Sequence, residues 1–139
     1  MECVLDSSLA LAWALPDEKS TLADKLLAHI APGSTLWVPA LWWYEIANAL
    51  TVAQRRRRFA EADSARAVEL YGMLPIQTDF DLDPNTVMRF QALAQKYSLS
   101  AYDAAYLELA QRRGMGLATL DRRLVMASRK AGVAVLSTS

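Results

Sequence analysis

The chain has one cysteine, one histidine and five glycines, and each scarcity closes off a class of protein. Cys3 stands alone and forms no intrachain disulfide, which fits a reducing compartment better than an oxidising one. His29 has neither a second histidine nor a cysteine pair to join it, so a zinc site of ordinary composition is excluded; on its Leu-rich helix it reads as structural or surface. The glycines make no P-loop or dinucleotide fingerprint after any strand, and there is no G-x-S-x-G elbow for a nucleophilic serine. No apolar run reaches the ~18 residues of a membrane span, and Met1-Glu2 leads into a short apolar segment without the basic region of a signal peptide. Charge of one sign is missing too: 15 basic side chains balance 15 acidic ones. That excludes a surface that grips nucleic acid all over, but not a local basic patch. The expectation is a single cytoplasmic domain over residues 1–139, with no membrane association and enough apolar residues, 53% of the total, for a proper core.

Short apolar segments alternate with helical ones. Cys3–Leu5 ends at Asp6 and runs into a helix from Ser7; Leu36–Val38 feeds a second helix; Pro75–Thr78 is a weak third strand; Gly116–Leu120 ends at Asp121; and Val133–Leu136 makes a fifth. Further helices are expected over Thr21–Ala31, Ala60–Met73, the segment after the Asp83-Pro84 cap, Ser100–Arg113 closed by Gly114, and Arg122–Ala131 stopped by Gly132. The alternation implies parallel strands joined by crossover helices, an α/β sandwich. Such sheets bind ligands beyond the carboxyl ends of their strands, where strand order reverses. Asp6 and Asp121 stand at two of those ends.

The stretch Val38–Leu50, VPALWWYEIANAL, poses the central question. Pro39 sits where a first helical turn would begin. The helix after it is apolar on all sides, which reads as a buried helix. Yet it carries Glu45, and the residues at i±3 and i±4 (Leu41, Trp42, Asn48, Ala49) include no base. A buried carboxylate without a partner is costly or becomes neutral, so something outside this helix must account for Glu45.

Four carboxylates stand out, and each has a plainer reading. Asp6 could cap the helix starting at Ser7, and Asp121 the helix starting at Arg122. Asp103 matches a capping box with Ser100, although Tyr106, Leu107 and Ala110 share its face and make that side look buried. Glu45 has only an ion pair with a distant arginine as its alternative. Taken together, the four would repel one another in an apolar site unless a divalent cation removed the conflict. Mg²⁺ and Mn²⁺ prefer hard oxygen ligands and keep several waters. Such ions activate water and stabilise the leaving oxygen of an in-line displacement, so phosphodiester hydrolysis is the natural reaction class.

Asp6 after the first strand, Tyr44-Glu45-Ile46-Ala47-Asn48-Ala49-Leu50, Tyr102-Asp103-Ala104-Ala105-Tyr106-Leu107 and Thr119-Leu120-Asp121 together resemble the PIN-domain nucleases, most of all the VapC-type toxins of bacterial toxin–antitoxin pairs. The resemblance spans nearly the whole chain, in order. It implies a Mg²⁺-dependent endoribonuclease on a five-stranded parallel sheet in the order 3-2-1-4-5, with Asp6, Glu45, Asp103 and Asp121 as its catalytic and metal-binding acids. Thr119 would support the last acid and Asn48 would lie beside Glu45. It also implies a homodimer silenced by a small antitoxin protein that wraps the helices and blocks the site.

Other features are less specific. Arg122 and Arg123, just after Asp121, are candidates to contact RNA, whereas Arg55–Arg58 suits either RNA phosphates, antitoxin acids or a solvated helix end. Trp13, Trp37, Trp42 and Trp43 crowd the first third of the chain as core residues, with one or two available to anchor a partner. Asp79, Asp81 and Glu108 read as surface or capping residues. Other functions stay open: a PIN-type nuclease in RNA processing or acting on DNA, or, in a different class, a signalling or interaction module. A phosphoacceptor module wants a lysine after its last strand, and here Lys130 precedes it.

Overall fold

The computed structural model describes residues 1–136. Four parallel strands, β1 (Glu2–Leu5), β2 (Thr35–Pro39), β3 (Ile76–Asp79) and β4 (Gly116–Ala118), form one sheet in the order β3-β2-β1-β4. The chain builds outward from β1 to β3 and then returns to place β4 on the other side of β1. Strand order therefore reverses between β1 and β4, and a crevice opens at their carboxyl ends.

The helices are α1 (Ser7–Ala14), α2 (Thr21–His29), α3 (Leu41–Arg55), α4 (Glu61–Met73), α5 (Pro84–Tyr97), α6 (Ala101–Arg113) and α7 (Arg122–Lys130), with one 3₁₀ turn at Pro16–Glu18. They flank the sheet as two groups. On one side α6 lies across β1, β2 and β4 and carries α5 and α7 on its outer side; on the other, α1 gathers α2, α3 and α4.

The expected fifth strand is reduced to one parallel bridge, Leu117 to Val135. Leu117 donates to Ala134 O at 2.9 Å and accepts from Leu136 N at 3.0 Å. β4 is only three residues long, so it offers an outer neighbour little ladder to pair with. The bridge nonetheless sits where the order 3-2-1-4-5 puts it. Gly116 suits this close approach: a Cβ there would lie 3.2 Å from the Ala134 carbonyl oxygen, so a side chain would require the neighbouring backbone to give by a few tenths of an ångström.

Two readings of the Glu45 stretch need correction. Pro39 does not open the helix but closes β2, in register with Asp79; Ala40 caps the helix instead. Nor is α3 buried all round. Trp42, Ile46, Leu50 and Ala53 form one buried face, while Trp43 and Tyr44 are exposed and Glu45 is half-buried at the border. The periodicity 42-46-50-53 is that of an amphipathic helix, and its tryptophans obscured it because one is core and the next is not. Trp42 is fully buried, edge-on to both Trp43 and Tyr71.

The helix buried on all sides is α6, where every residue from Ala104 to Ala110 is inaccessible. One of these is Glu108, and β3 ends on the equally buried Asp79, so neither is the surface residue expected from sequence. Arg112 reaches both, at 2.7 Å to Glu108 and 3.0 Å to Asp79; Arg113 donates to Asp79, and Arg89 of α5 to Glu108. Arg113 also lies 3.4 Å over the Trp37 ring. Burial by itself would push Asp79 up, but the Arg112 and Arg113 guanidinium groups hold its carboxyl below the ordinary value. Asp81 is exposed, as expected, at the edge of this network.

Candidate active site

The site starts from strand register. Leu5 pairs with Ala118, and the ladder extends one step as Asp6 N donates to Ala118 O at 2.9 Å. Asp6 and Thr119 thus emerge side by side, and Thr119 Oγ1 donates to Asp6 Oδ2 at 2.7 Å. Asp6 takes the N-cap position of α1, but its side chain caps nothing. It turns away and accepts from Ser8 Oγ at 2.5 Å as well. Asp6 is 5% exposed, and burial raises its carboxyl above the ordinary value, with Asp121 adding to the rise and the two hydroxyls opposing it.

Asp121 does cap α7, its Oδ1 accepting from the N–H groups of Arg123 at 2.9 Å and Leu124 at 3.3 Å. Capping and cleft roles coexist here, because the cap fixes one oxygen and leaves the carboxylate on the cleft wall. Thr119 accepts from Asp121 N at 3.0 Å, so one hydroxyl ties both strand-end acids together. Ser8 makes a second tie, accepting from Leu120 N at 3.0 Å.

Asp103 stands in the first turn of α6, its N–H donating to Ser100 Oγ at 3.1 Å. Half of the capping box is thus present, and Asp103 is half-buried rather than buried. Its carboxyl is raised by burial, then by Asp121 and Asp6; Arg123 works the other way. Glu45 is held by hydroxyls, with no arginine involved: Tyr106 Oη donates to Oε1 at 2.5 Å and Ser7 Oγ at 3.2 Å. Burial also raises Glu45, with Asp6 and Asp103 contributing.

Asp6, Glu45, Asp103 and Asp121 line one open cleft together with Ser7, Ser8, Leu11, Leu120 and Glu18. Sequence reasoning missed Ser7, Ser8 and Tyr106 as supports, and Glu18 as a further acid on the wall. The signals were there: two serines directly after a strand-end aspartate, and a tyrosine among aliphatic residues one turn after Asp103. Asn48 lies one turn beyond Glu45 and is exposed; Arg122 and Arg123 are exposed on the first turn of α7. Arg55–Arg57 lie at the end of α3, exposed, and Arg58 pairs with Asp17. His29 is exposed on α2.

The donor set is oxygen only, with three acids, Asp6, Glu45 and Asp103, whose carboxyls are raised by burial and by neighbouring carboxylates. Such a set suits a hard divalent cation, which lowers the cost of keeping them ionised. Among the described residues no three acids, histidines or cysteines converge closely enough to enclose an ion by themselves, so water would complete the shell, as is usual for Mg²⁺.

A parallel sheet with acids from two strand ends and two helices gathered at its topological switch point is the arrangement of a hydrolytic nuclease. The chain belongs to the PIN-domain family, whose model matches residues 3–130. It is 31% identical over 128 residues to Ribonuclease VapC3 of Pyrobaculum aerophilum, covering 89% of this chain and 92% of that protein. It is 35% identical over 122 residues to Ribonuclease VapC9 of Mycobacterium tuberculosis, covering 87% of each. Among solved structures, a Pyrobaculum aerophilum protein superposes with TM-score 0.69 at 26% identity, over 97% of this chain and 83% of that one. A toxin–antitoxin complex from Klebsiella pneumoniae gives 0.61 at 18% identity, over 97% and 96%, a likeness of fold.

Proposed function

We propose that this chain is the toxin of a toxin–antitoxin pair, an endoribonuclease that hydrolyses RNA phosphodiester bonds with Mg²⁺, or Mn²⁺ in its place. The observation that carries the reading is the convergence of Asp6, Glu45, Asp103 and Asp121 on one cleft, in a chain whose relatives are named as VapC ribonucleases. These four acids would hold the ion, which supplies activation of water and stabilisation of the leaving oxygen. The protein's own part is positioning. Ser8 and Thr119 fix Asp6, Tyr106 and Ser7 fix Glu45, and the α7 N–H groups fix Asp121. One of these acids would also orient the attacking water and take its proton.

Support for a protein partner comes from the Klebsiella pneumoniae neighbour, which is a toxin–antitoxin complex. The exposed apolar side chains Trp43 and Tyr44 at the start of α3, Phe80 and Leu82 in the loop after β3, and Met88 in α5 suit a homodimer face. An RNA target places the activity in the cytoplasm; no helix among the described residues is long and apolar enough to cross a membrane. The test is cleavage of single-stranded RNA by purified protein. Mg²⁺ should support it, EDTA should abolish it, and Asp6→Asn or Asp103→Asn should lower it by orders of magnitude. Undiminished cleavage in EDTA would refute the metal assignment. Expression alone should arrest growth, with relief by a small gene beside this one; equal toxicity from Asp6→Asn would detach the arrest from cleavage.

A further inference from the structure

Next to the acid cleft a second one opens between the end of α5 and the outer face of α7, lined by Tyr97, Ser98, Arg123, Met126, Ala127 and Lys130. Its chemistry differs from that of the first: it contains cations and apolar surface and no acid. Resting on the ribonuclease reading above, we propose that this cleft is a subsite for the single-stranded RNA that flanks the scissile phosphate. Arg123 and Lys130 bind phosphates, and Met126 with Tyr97 offers a shelf to a base.

Three observations carry this. The first is continuity. Arg123 lines the second cleft and adjoins the first, its backbone N–H donating to Asp121 on the wall of the acid cleft. A strand leaving the acids along α7 meets Arg123 first. Met126, Ala127 and Lys130 follow at three, four and seven positions on, one face of a helix, with Lys130 about 10 Å further along the axis.

The second is that helix stability does not account for the cations at the front. α7 opens with Arg122 and Arg123 and has no acid in its first turn. Basic side chains there oppose the helix dipole. Lys130, in the last turn, does suit the dipole, so only Arg122 and Arg123 are placed against it.

The third is pairing. Arg58, Arg66, Arg89, Arg112 and Arg113 all have carboxylate partners. Among the described residues Arg123 and Lys130 have none, as is true of most of the other basic side chains, and what sets these two apart is that they line one cleft together. The formal net charge of zero therefore hides a local positive strip beside the acids. Between its cations lies Met126, 59% exposed, and Tyr97 stands across the cleft. Cations interleaved with apolar and aromatic surface match a single-stranded nucleic acid, which presents phosphates and unpaired bases together.

The experiment measures anisotropy of a labelled single-stranded oligoribonucleotide bound to full-length Asp6→Asn protein, across a salt series. Adding Lys130→Glu should weaken binding roughly threefold to tenfold and flatten the log–log salt slope by about 0.7 for each phosphate no longer neutralised. Lys130→Gln, which puts no acid at the helix end, should flatten the slope equally. Lys25→Glu, the same charge change on exposed α2, should leave affinity and slope unaltered. Wild-type affinity and slope in both Lys130 variants would overturn the subsite, as would an equal loss in Lys25→Glu. If the Lys130 variants keep RNA but lose a cognate protein partner, the cleft is a protein site and the inference fails. These outcomes leave the ribonuclease reading intact, whereas wild-type protein that cleaves no RNA overturns that reading and the subsite with it.

Discussion

Tyr106 Oη donates a 2.5 Å hydrogen bond to Glu45 Oε1 across 61 positions of sequence, joining α6 to α3 at the cleft. Tyr106 is fully buried, and burial followed by the negative charge of Asp6 raises its phenol well above the ordinary value. It therefore stays a donor at any working pH and favours the ionised form of Glu45.

Tyr106→Phe should show what that bond does. Glu45 keeps only Ser7, and its carboxyl should rise further. The acid limb of the pH–rate profile should then move to higher pH, with a stability loss of about 1–3 kcal/mol in urea melts. An unmoved acid limb would mean that Glu45 ionisation does not govern the reaction.

Asp103→Asn should stabilise the metal-free protein. It removes one of three mutually repelling charges from a site where Asp121 and Asp6 raise its carboxyl. In EDTA the melting temperature should rise, each kcal/mol being worth about 2–4 °C near this chain length. Mg²⁺ should stabilise the wild type more than the variant, since binding to the folded state alone adds about 2.7 kcal/mol at a hundredfold excess over Kd. A lower melting temperature for the variant in EDTA would contradict the repulsion.

Stability against pH should pass through a maximum in EDTA. Asp6, Glu45 and Asp103 have raised folded values, so the folded state binds protons more readily than the unfolded one; their contribution is full below the ordinary 3.8 to 4.5 and is lost as pH rises through the folded values. Asp79 is depressed: its contribution is full above the ordinary 3.8 and is lost as pH falls through the folded value. Melting temperature should climb as pH drops from neutral toward the ordinary carboxylate range, then fall below it. A monotonic decline from neutral pH would show that the acid cluster is not strained.

Asp79→Asn should weaken the fold by about 1–3 kcal/mol, because it leaves Arg112 and Arg113 without the acid that both bind. The urea midpoint should fall at constant m-value. Cleavage below the melting range should persist, since Asp79 does not line the acid cleft. Loss of activity without loss of stability would place the network in the reaction.

Local patterning determined much of this protein. Short apolar runs ending in Asp6 and Asp121 specify parallel strands and their carboxyl ends, because a strand buried on both faces reads as a continuous apolar segment. Gly114 and Gly132, with positive φ of 62° and 76°, stop their helices where the sequence places them. The four acids were legible as residue types at those places. Their partners were not, because Thr119 to Asp6 and Tyr106 to Glu45 span 113 and 61 positions. Register and helix packing, which single-chain periodicity does not encode, decide which hydroxyl meets which carboxylate. Burial was decided the same way. Glu108 and Asp79 look like ordinary surface acids until α6 crosses the sheet and supplies Arg112 to both. Glu45 looks buried in an apolar stretch until the packing of α3 turns Trp43 and Tyr44 outward. Sequence set the elements and the acids. Only tertiary contact assigned each acid its partners, because the energy of a buried charge depends on what stands within a few ångströms of it.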